Sequence, residues 1–381
     1  MSAVKEFSVP CTVMRGGTSK ALFFLDSDVP SDVQLRTDFL LRAFGSPDVR
    51  QVDGMGGADP LTSKTAIIRT SNMPGVDVEY TFGQVSITEP FVDMAGNCGN
   101  ISSAVGPYAI DKGLVLAGDP VTTVRIFNTN TKKMIVAEVP VREGRVVTQG
   151  TYQINGVPGT GAEIKMHFID PGGAITGKLL PTGNVADKIK LESGQTVDVS
   201  IVDAGNLAGF VRADQIGLRG VELPAEVESR ADTLAMLEEI RAKISERLGM
   251  CGNWRDAYQR YRTNPKIAFV SAPAPFRTLQ GQQVPADSID IVARVMAMGR
   301  MHKAFAITAA IPTAAASRVP GSVVHALCRP SSAAVRIGHP SGIMSVGITT
   351  SGEKDNFRLL EVIVGRTARK LMEGRVFLPE A

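Results

Sequence analysis

Cysteine is scarce in this chain of 381 residues, and the four present, Cys11, Cys98, Cys251 and Cys328, form no C-x-x-C pair. Such dispersal argues against a disulfide framework and against structural zinc, and it fits a reducing cytoplasm. Histidine is equally rare. His167, His302, His325 and His339 show no H-x-H or H-E-x-x-H spacing, so no metal site and no metal cofactor are expected. Charge of one sign is lacking too: 41 Lys and Arg against 38 Asp and Glu leave a formal +3, with no basic run of five, so nucleic acid is not an expected partner. No apolar run is long enough to span a membrane, and the opening Met1 to Phe7 has no apolar core, which makes the cytoplasm the expected compartment. The G-x-S-x-G elbow, the G-x-G-x-x-G fingerprint and the Gly-Lys-Ser/Thr adjacency of a P-loop are all missing. Their absence removes the commonest hydrolase and nucleotide-binding signals.

What is present is ordinary in bulk: 44% hydrophobic and 21% charged residues, on a length that favours two domains over one core. Strand-like runs are read at Phe7 to Met14, Ala21 to Leu25, Thr65 to Arg69, Val76 to Phe82, Gln84 to Thr88, Val121 to Asn128, Met134 to Pro140 and Arg145 to Gln149. Further strands are read at Thr196 to Asp203, Gly209 to Ala213 and Lys266 to Ser271. Asp32 to Phe44 and Pro224 to Leu248 read as amphipathic helices, and the Gly- and Pro-rich stretch from Gly156 to Asn184 as loops leading to a hinge. Strands and helices without regular βαβ alternation indicate an α+β fold.

Two segments are apolar all round and read as buried helices, one within Met94 to Ile110 and one over Met301 to Arg318. Each follows a strand run through a short glycine-containing segment, a faint structural repeat. Two helix N-termini entering one cleft would favour an anionic ligand; the plainer reading is that both helices are core. The first helix opens with Gly96-Asn97-Cys98-Gly99-Asn100. Asn97 is the expected N-cap, which puts Cys98 in the first turn, where the positive end of the dipole favours a thiolate. The flanking glycines let a ligand approach, although most free cysteines are merely structural.

Two near-copies of one motif stand out. Arg15-Gly16-Gly17-Thr18-Ser19-Lys20 and Gly56-Gly57 with Thr62-Ser63-Lys64 both place Thr-Ser-Lys after a Gly-Gly pair. Exposed N–H groups, hydroxyls and a lysine suit carboxylate oxygens, and each copy alone could equally be a turn with a solvated lysine. Lys64 runs directly into apolar Thr65-Ala66-Ile67-Ile68, so partial burial is expected to lower its pKa toward the range useful for acid–base work. Small polar turns at Pro181-Thr182-Gly183-Asn184 and Gly338-His339-Pro340-Ser341-Gly342, with His302 and Lys303 at the start of the second apolar helix, are further candidates to line a ligand.

Met14 to Lys20, Asp53 to Gly57 with Thr62 to Lys64, Gly96 to Asn100, Pro181 to Asn184, Gly338 to Gly342 and Arg366-Thr367-Ala368-Arg369 together resemble the PrpF family, from Pro10 to Gly374 and in the family's order. Its members include 2-methylaconitate cis-trans isomerase, methylitaconate and aconitate Δ-isomerases and 4-oxalomesaconate tautomerase. The resemblance implies a diaminopimelate epimerase-like α+β fold, two similar halves that each wrap a sheet around a central helix, with the active site in the cleft between them. Residues 1–187, completed by 366–381, would form the half carrying Lys64 and Cys98, and 188–365 the other. It also implies proton transfer without any cofactor on a small unsaturated di- or tricarboxylate, shifting a C=C bond or its geometry. Lys64 and Cys98 would be catalytic. Arg15, Gly17, Thr18, Ser19, Lys20, Gly56, Gly57, Thr62, Ser63, Asn97, Gly99, Asn100, Thr182, His302, Lys303, His339, Ser341 and Gly342 would bind substrate.

Amino-acid epimerases of this fold use two facing cysteines, yet the expected counterpart of Cys98, around Thr308 to Thr313, holds none. That departure fits the isomerases. The segment Asp48 to Leu61 looks like the oxalomesaconate tautomerases, whereas Asp93 to Gly96 and Met298 to Lys303 look like the methylaconitate branch. A tautomerase is the alternative enzyme, a non-catalytic carboxylate-binding protein the rival from another class, and a homodimer the assembly left open.

Overall fold

A computed structural model describes residues 7–257, 264–330, 334–352 and 356–378. Most of the opening segment, Met1 to Glu6, and residues 379–381 of the expected C-terminal segment lie outside them. The chain divides into two compact units, Met1–Met166 with Gly365–Ala381, and His167–Val364. The boundary thus precedes the one read from the sequence: residues 167–187 go with the second unit. The stretch read as loop there contains strand β9, Ile164–Ile169, whose alternate residues Ile164, Met166 and Phe168 are buried.

In the first unit β1 (Phe7–Gly16) turns back antiparallel into β2 (Ser19–Leu25), with Gly16 opposite Ser19. Helix α1 (Val33–Phe44) starts where Asp32 Oδ1 accepts from the N–H groups of Gln34 and Leu35, and stops at left-handed Gly45. Its buried face, Phe39, Leu40 and Phe44, packs with Leu22, Phe24 and Ile67, each large apolar side chain contributing about 1.5–3 kcal/mol. β2 runs parallel to β3 (Lys64–Thr70), with Ala21 opposite Lys64. β3 runs antiparallel to β4 (Val78–Val85), with Lys64 opposite Gln84. β4 is one strand where two were read, because Gly83 continues it. A Cβ there would stand 2.7 Å from Thr65 Cγ2, so the close approach of β3 accounts for the glycine. β5 (Val92–Asp93) leads to α2 (Gly99–Asp111), then β6 (Val121–Asn128) lies parallel to β4 and forms a hairpin with β7 (Lys133–Arg142), followed by short β8 (Arg145–Val146). Gly99 to Ile110 of α2 are buried on every side, as an all-apolar helix should be.

The second unit repeats this order. β10 (Asp187–Lys190) pairs with β11 (Thr196–Ala204), which turns back into β12 (Asn206–Arg212). The long helix expected over Pro224 to Leu248 breaks into α3 (Pro224–Glu228) and α4 (Ala231–Arg247). β12 runs parallel to β13 (Lys266–Ser271), with Ala208 opposite Lys266, and β14 (Phe276–Arg277) and β15 (Gln283–Val284) make a small separate ladder. β13 is antiparallel to β16 (Ile291–Ala297), and β17 (Arg300–Met301) precedes α5 (Ile307–Ser317), all eleven residues of which are buried. After α6 (Val323–Leu327), β18 (Ala334–His339) lies parallel to β16 and forms a hairpin with β19 (Gly342–Ser351). β20 (Arg358–Arg366) follows, and β21 (Ala368–Leu378) closes the first unit against β1, as β10 pairs with β11.

Strand for strand, β1 to β7 around α2 match β11, β12, β13 and β16 to β19 around α5. The faint repeat in the sequence is therefore a duplicated half, the diaminopimelate epimerase-like α+β fold. Among the described residues no helix is long and apolar enough to cross a membrane, and no group of three His, Cys, Asp or Glu side chains is placed to hold a metal.

Candidate active site

Lys64 is the first residue of β3, flanked by β2 on one side and β4 on the other, and that position buries it. Its Nζ donates to Gln84 Oε1, and it stands 5.5 Å from the centroid of the Phe82 ring. The Gln84 amide is itself oriented, because its Nε2 donates to Ser63 O at 2.9 Å and Pro60 O at 3.1 Å. Burial lowers the Lys64 pKa, and the charges of Cys98 and Asp59 act in the opposite sense. A lysine with this balance can be neutral, and so basic, without leaving its seat.

Cys98 lies within that electrostatic reach, one residue earlier in the helix than the sequence indicated. It is itself the N-cap of α2, with φ −120° and ψ 98°, and not a first-turn residue. Asn97 does not cap: its Oδ1 accepts from Ser102 Oγ at 3.2 Å, while Ser102 N donates to Cys98 O at 2.9 Å. These bonds hold the thiol at the mouth of a helix. Gly99 and Asn100 are the first two helical residues, and both are buried. Tyr80 of β4 is fully buried nearby, its hydroxyl pushed well up in pKa by burial and by the charge of Cys98.

The two Thr-Ser-Lys motifs turn out unlike each other. The first forms the β1–β2 turn and abuts α2. Gly17 sits at φ +50°, and a Cβ there would be 2.2 Å from Asn100 Oδ1, which only glycine avoids. Asn100 Nδ2 donates to Thr18 Oγ1 at 3.1 Å, and buried Arg366 donates from Nε to Asn100 Oδ1 at 3.2 Å. The Gly17 N–H, expected to face the substrate, donates instead to Thr367 O at 3.0 Å. Arg15 is committed as well, Nη1 donating to Gly17 O and Thr367 O at 2.9 Å each, and Lys20 N donates to Leu61 O. Ser19 Oγ is buried and makes no hydrogen bond among the described residues.

The second motif folds on itself. Gln51 Oε1 accepts from Ala58 N at 2.8 Å and Ser63 Oγ at 2.7 Å, Gly56 presses against the Gln51 side chain, and Thr62 Oγ1 donates to Asp59 O. Gly56, Gly57, Thr62 and Ser63 thus build the loop that delivers Lys64.

In the second unit the structure gathers a separate group. Ser341 Oγ donates to Lys303 O at 2.6 Å, Ser341 N donates to His339 Nδ1, Ala304 N donates to His302 Nδ1, and His339 stacks on Phe305. Gly342 opens β19 beside them. His302 and Lys303 do not start the helix, as the sequence suggested, because the chain bends at Lys303 and Ala304 and the helix begins only after the N-cap Ala306. Thr182 belongs elsewhere: its hydroxyl donates to Asp187 Oδ2 at 2.6 Å, and Arg247 pairs with the same carboxylate.

The duplicated topology locates two counterparts. Lys266, buried at the head of β13, matches Lys64, and the N-cap Ala306 matches Cys98. Of the remaining thiols, burial pushes Cys11 up to about 12 and Cys328 up to about 11. Arg366, whose pKa burial lowers to about 10, was legible only within the motif at 366–369; nothing in the sequence singled out Gln84, Phe82, Tyr80 or Asn100's bridging role.

A duplicated epimerase-like fold with a buried lysine at a strand head and a thiol at a helix mouth belongs to an enzyme of the isomerase class. The PrpF protein family model matches residues 6–379, and the chain belongs to that family. It is 46% identical over 380 residues to the 3-methylitaconate isomerase of Eubacterium barkeri, covering 99% of this chain and 98% of that one. To the 2-methyl-aconitate isomerase of Cupriavidus necator it is 39% identical over 393 residues, covering 100% and 99%. A crystal structure of methylitaconate-delta-isomerase superposes with a TM-score of 0.81 at 46% identity, covering 98% of this chain and 96% of that one.

Proposed function

We propose that this isomerase shifts a C=C bond in a small unsaturated polycarboxylate of the 3-methylitaconate kind, and that Lys64 and Cys98 move the protons. The observation that carries the reading is the burial of Lys64 against a neutral amide with Cys98 in electrostatic reach. An allylic C–H flanked by carboxylate and alkene is acidic enough for a neutral amine to remove its proton. The C–H bond breaks toward Lys64 Nζ, giving an ammonium and a dienolate. Cys98 Sγ then delivers a proton to the far carbon and becomes a thiolate, and passage of the proton from ammonium to thiolate resets the pair. Thr18, Ser19 and Arg366 are proposed as carboxylate donors. The greater identity to the methylitaconate enzyme than to the methyl-aconitate enzyme supports the choice of substrate class. An alanine at the place of a second thiol supports isomerisation over amino-acid epimerisation.

The four free thiols support a cytoplasmic setting. The test is incubation of EDTA-treated protein in D2O with 3-methylitaconate, 2-methylaconitate, cis- and trans-aconitate and 4-oxalomesaconate, followed by NMR. Double-bond migration with deuterium uptake in the first is expected. No exchange in any of the five would sink the reading.

A further inference from the structure

The turn joining β6 to β7 carries Asn130, whose side chain reaches in two directions. Toward β4 it docks as a neighbouring strand would, Oδ1 accepting from Phe82 N at 2.8 Å and Nδ2 donating to Phe82 O at 2.9 Å. The other Nδ2 hydrogen goes at 2.7 Å to Met94 O, four residues before Cys98. Buried Asn128 donates to Asn130 Oδ1 at 3.2 Å and completes the amide's capacity for hydrogen bonds. Phe82 and Gln84 are the β4 residues that seat the Lys64 amine. One amide therefore fastens the strand that holds the lysine to the segment that holds the thiol.

The second unit repeats the device at the matching turn. There Ser341 Oγ donates to Lys303 O, three residues before Ala306. In the second unit one serine hydroxyl makes a single bond of this kind, where in the first one amide makes three, to Met94 O and to Phe82 N and O. The heavier fastening occurs in the unit whose helix cap carries a thiol.

We propose that Asn130 is a positioning residue for proton transfer, holding Cys98 at the distance from Lys64 at which one dienolate can be served by both. The proposal rests on the reading that these two groups move the protons. Asn130 acts through Met94 O and Phe82, with no direct part in the chemistry. A displacement of the order of 1 Å at a reacting group costs ~10²-fold in rate.

The test compares Asn130→Ala and Asn130→Ser with wild type, with Lys64→Ala and Cys98→Ser as references, using 3-methylitaconate in D2O. Two quantities are read: product formed, and deuterium in recovered substrate. Asn130→Ala is expected to lower kcat by ~10²-fold with KM unchanged. It should also raise the ratio of exchange to conversion, because a proton removed at Lys64 is returned more often than one is delivered from a displaced Cys98. Asn130→Ser, which restores the single bond seen at Ser341, should recover part of both. The ratio does not depend on how much protein is folded, so exchange and conversion falling in proportion would mean a merely structural role and overturn the proposal. If the alanine variant does not fold, the serine variant decides by the same ratio. Wild-type turnover in Lys64→Ala and Cys98→Ser would defeat the parent reading, whereas their loss beside a wild-type ratio in Asn130→Ala would defeat this inference alone.

Discussion

Lys64 and Gln84 face each other across the β3–β4 ladder, and the lysine's bond goes to an amide oxygen, not to a carboxylate. That choice of partner decides the chemistry available. A carboxylate at the same place would hold the ammonium form, whereas a neutral acceptor leaves burial as the main influence, and burial lowers the pKa.

On the proposed mechanism, Lys64→Ala removes the group that accepts the first proton. Removal of a general acid or base typically costs ~10²–10⁴-fold, and kcat is expected to fall at least that far with the circular dichroism spectrum unchanged. Turnover at the wild-type rate would remove Lys64 from the mechanism.

Gln84→Glu tests the electrostatics with almost no change of shape. The new carboxylate favours the charged lysine and raises its pKa. Because the base must be neutral, kcat/KM rises as pH climbs through that pKa, so the ascending limb should move to higher pH and activity at pH 7 should drop. A limb that stayed in place would show that Lys64 does not govern it.

Ser19→Ala addresses substrate binding. The Ser19 hydroxyl is buried without a hydrogen bond among the described residues, so its removal should not lower the melting temperature. KM should rise with a smaller effect on kcat, and a neutral diester of the substrate should be turned over poorly by wild type. A destabilised variant with unchanged KM would mean the hydroxyl serves the fold.

Gly17→Ala probes the turn against α2. Left-handed backbone at φ +50° costs an alanine about 1–2 kcal/mol, and its Cβ would also collide with Asn100 Oδ1. Urea unfolding should show a loss of at least that size together with lower activity, since Asn100 links Thr18 to Arg366. Full stability in this variant would contradict the geometry of the turn.

Much of the site was legible because its signals are local. The apolar sequel to Lys64 announced a buried strand head, and a thiol between glycines before an all-apolar run announced a helix mouth. Offsets of a residue or more had local causes as well: Asn97 looks like a cap by composition, but its side chain is drawn to Ser102. Apart from the expected burial of Lys64, the two Thr-Ser-Lys copies read alike in the sequence as turns suited to carboxylate oxygens. What separates them is long-range contact, with Asn100 and Arg366 in one case and Gln51 in the other.

By itself, then, the sequence determined the α+β class, the family, the two buried helices and the lysine and thiol proposed as the acid–base pair, because burial of an apolar run and the chemistry of a side chain are carried by neighbours along the chain. Tertiary structure alone decided which donors are already committed, Arg15 and the Gly17 N–H among them, and that Asn130 joins the seat of the lysine to the seat of the thiol. Apart from the bond of Arg15 to Gly17, those are pairings between residues tens to hundreds of positions apart, and such a hydrogen bond is set by where the chain returns, which no local pattern records.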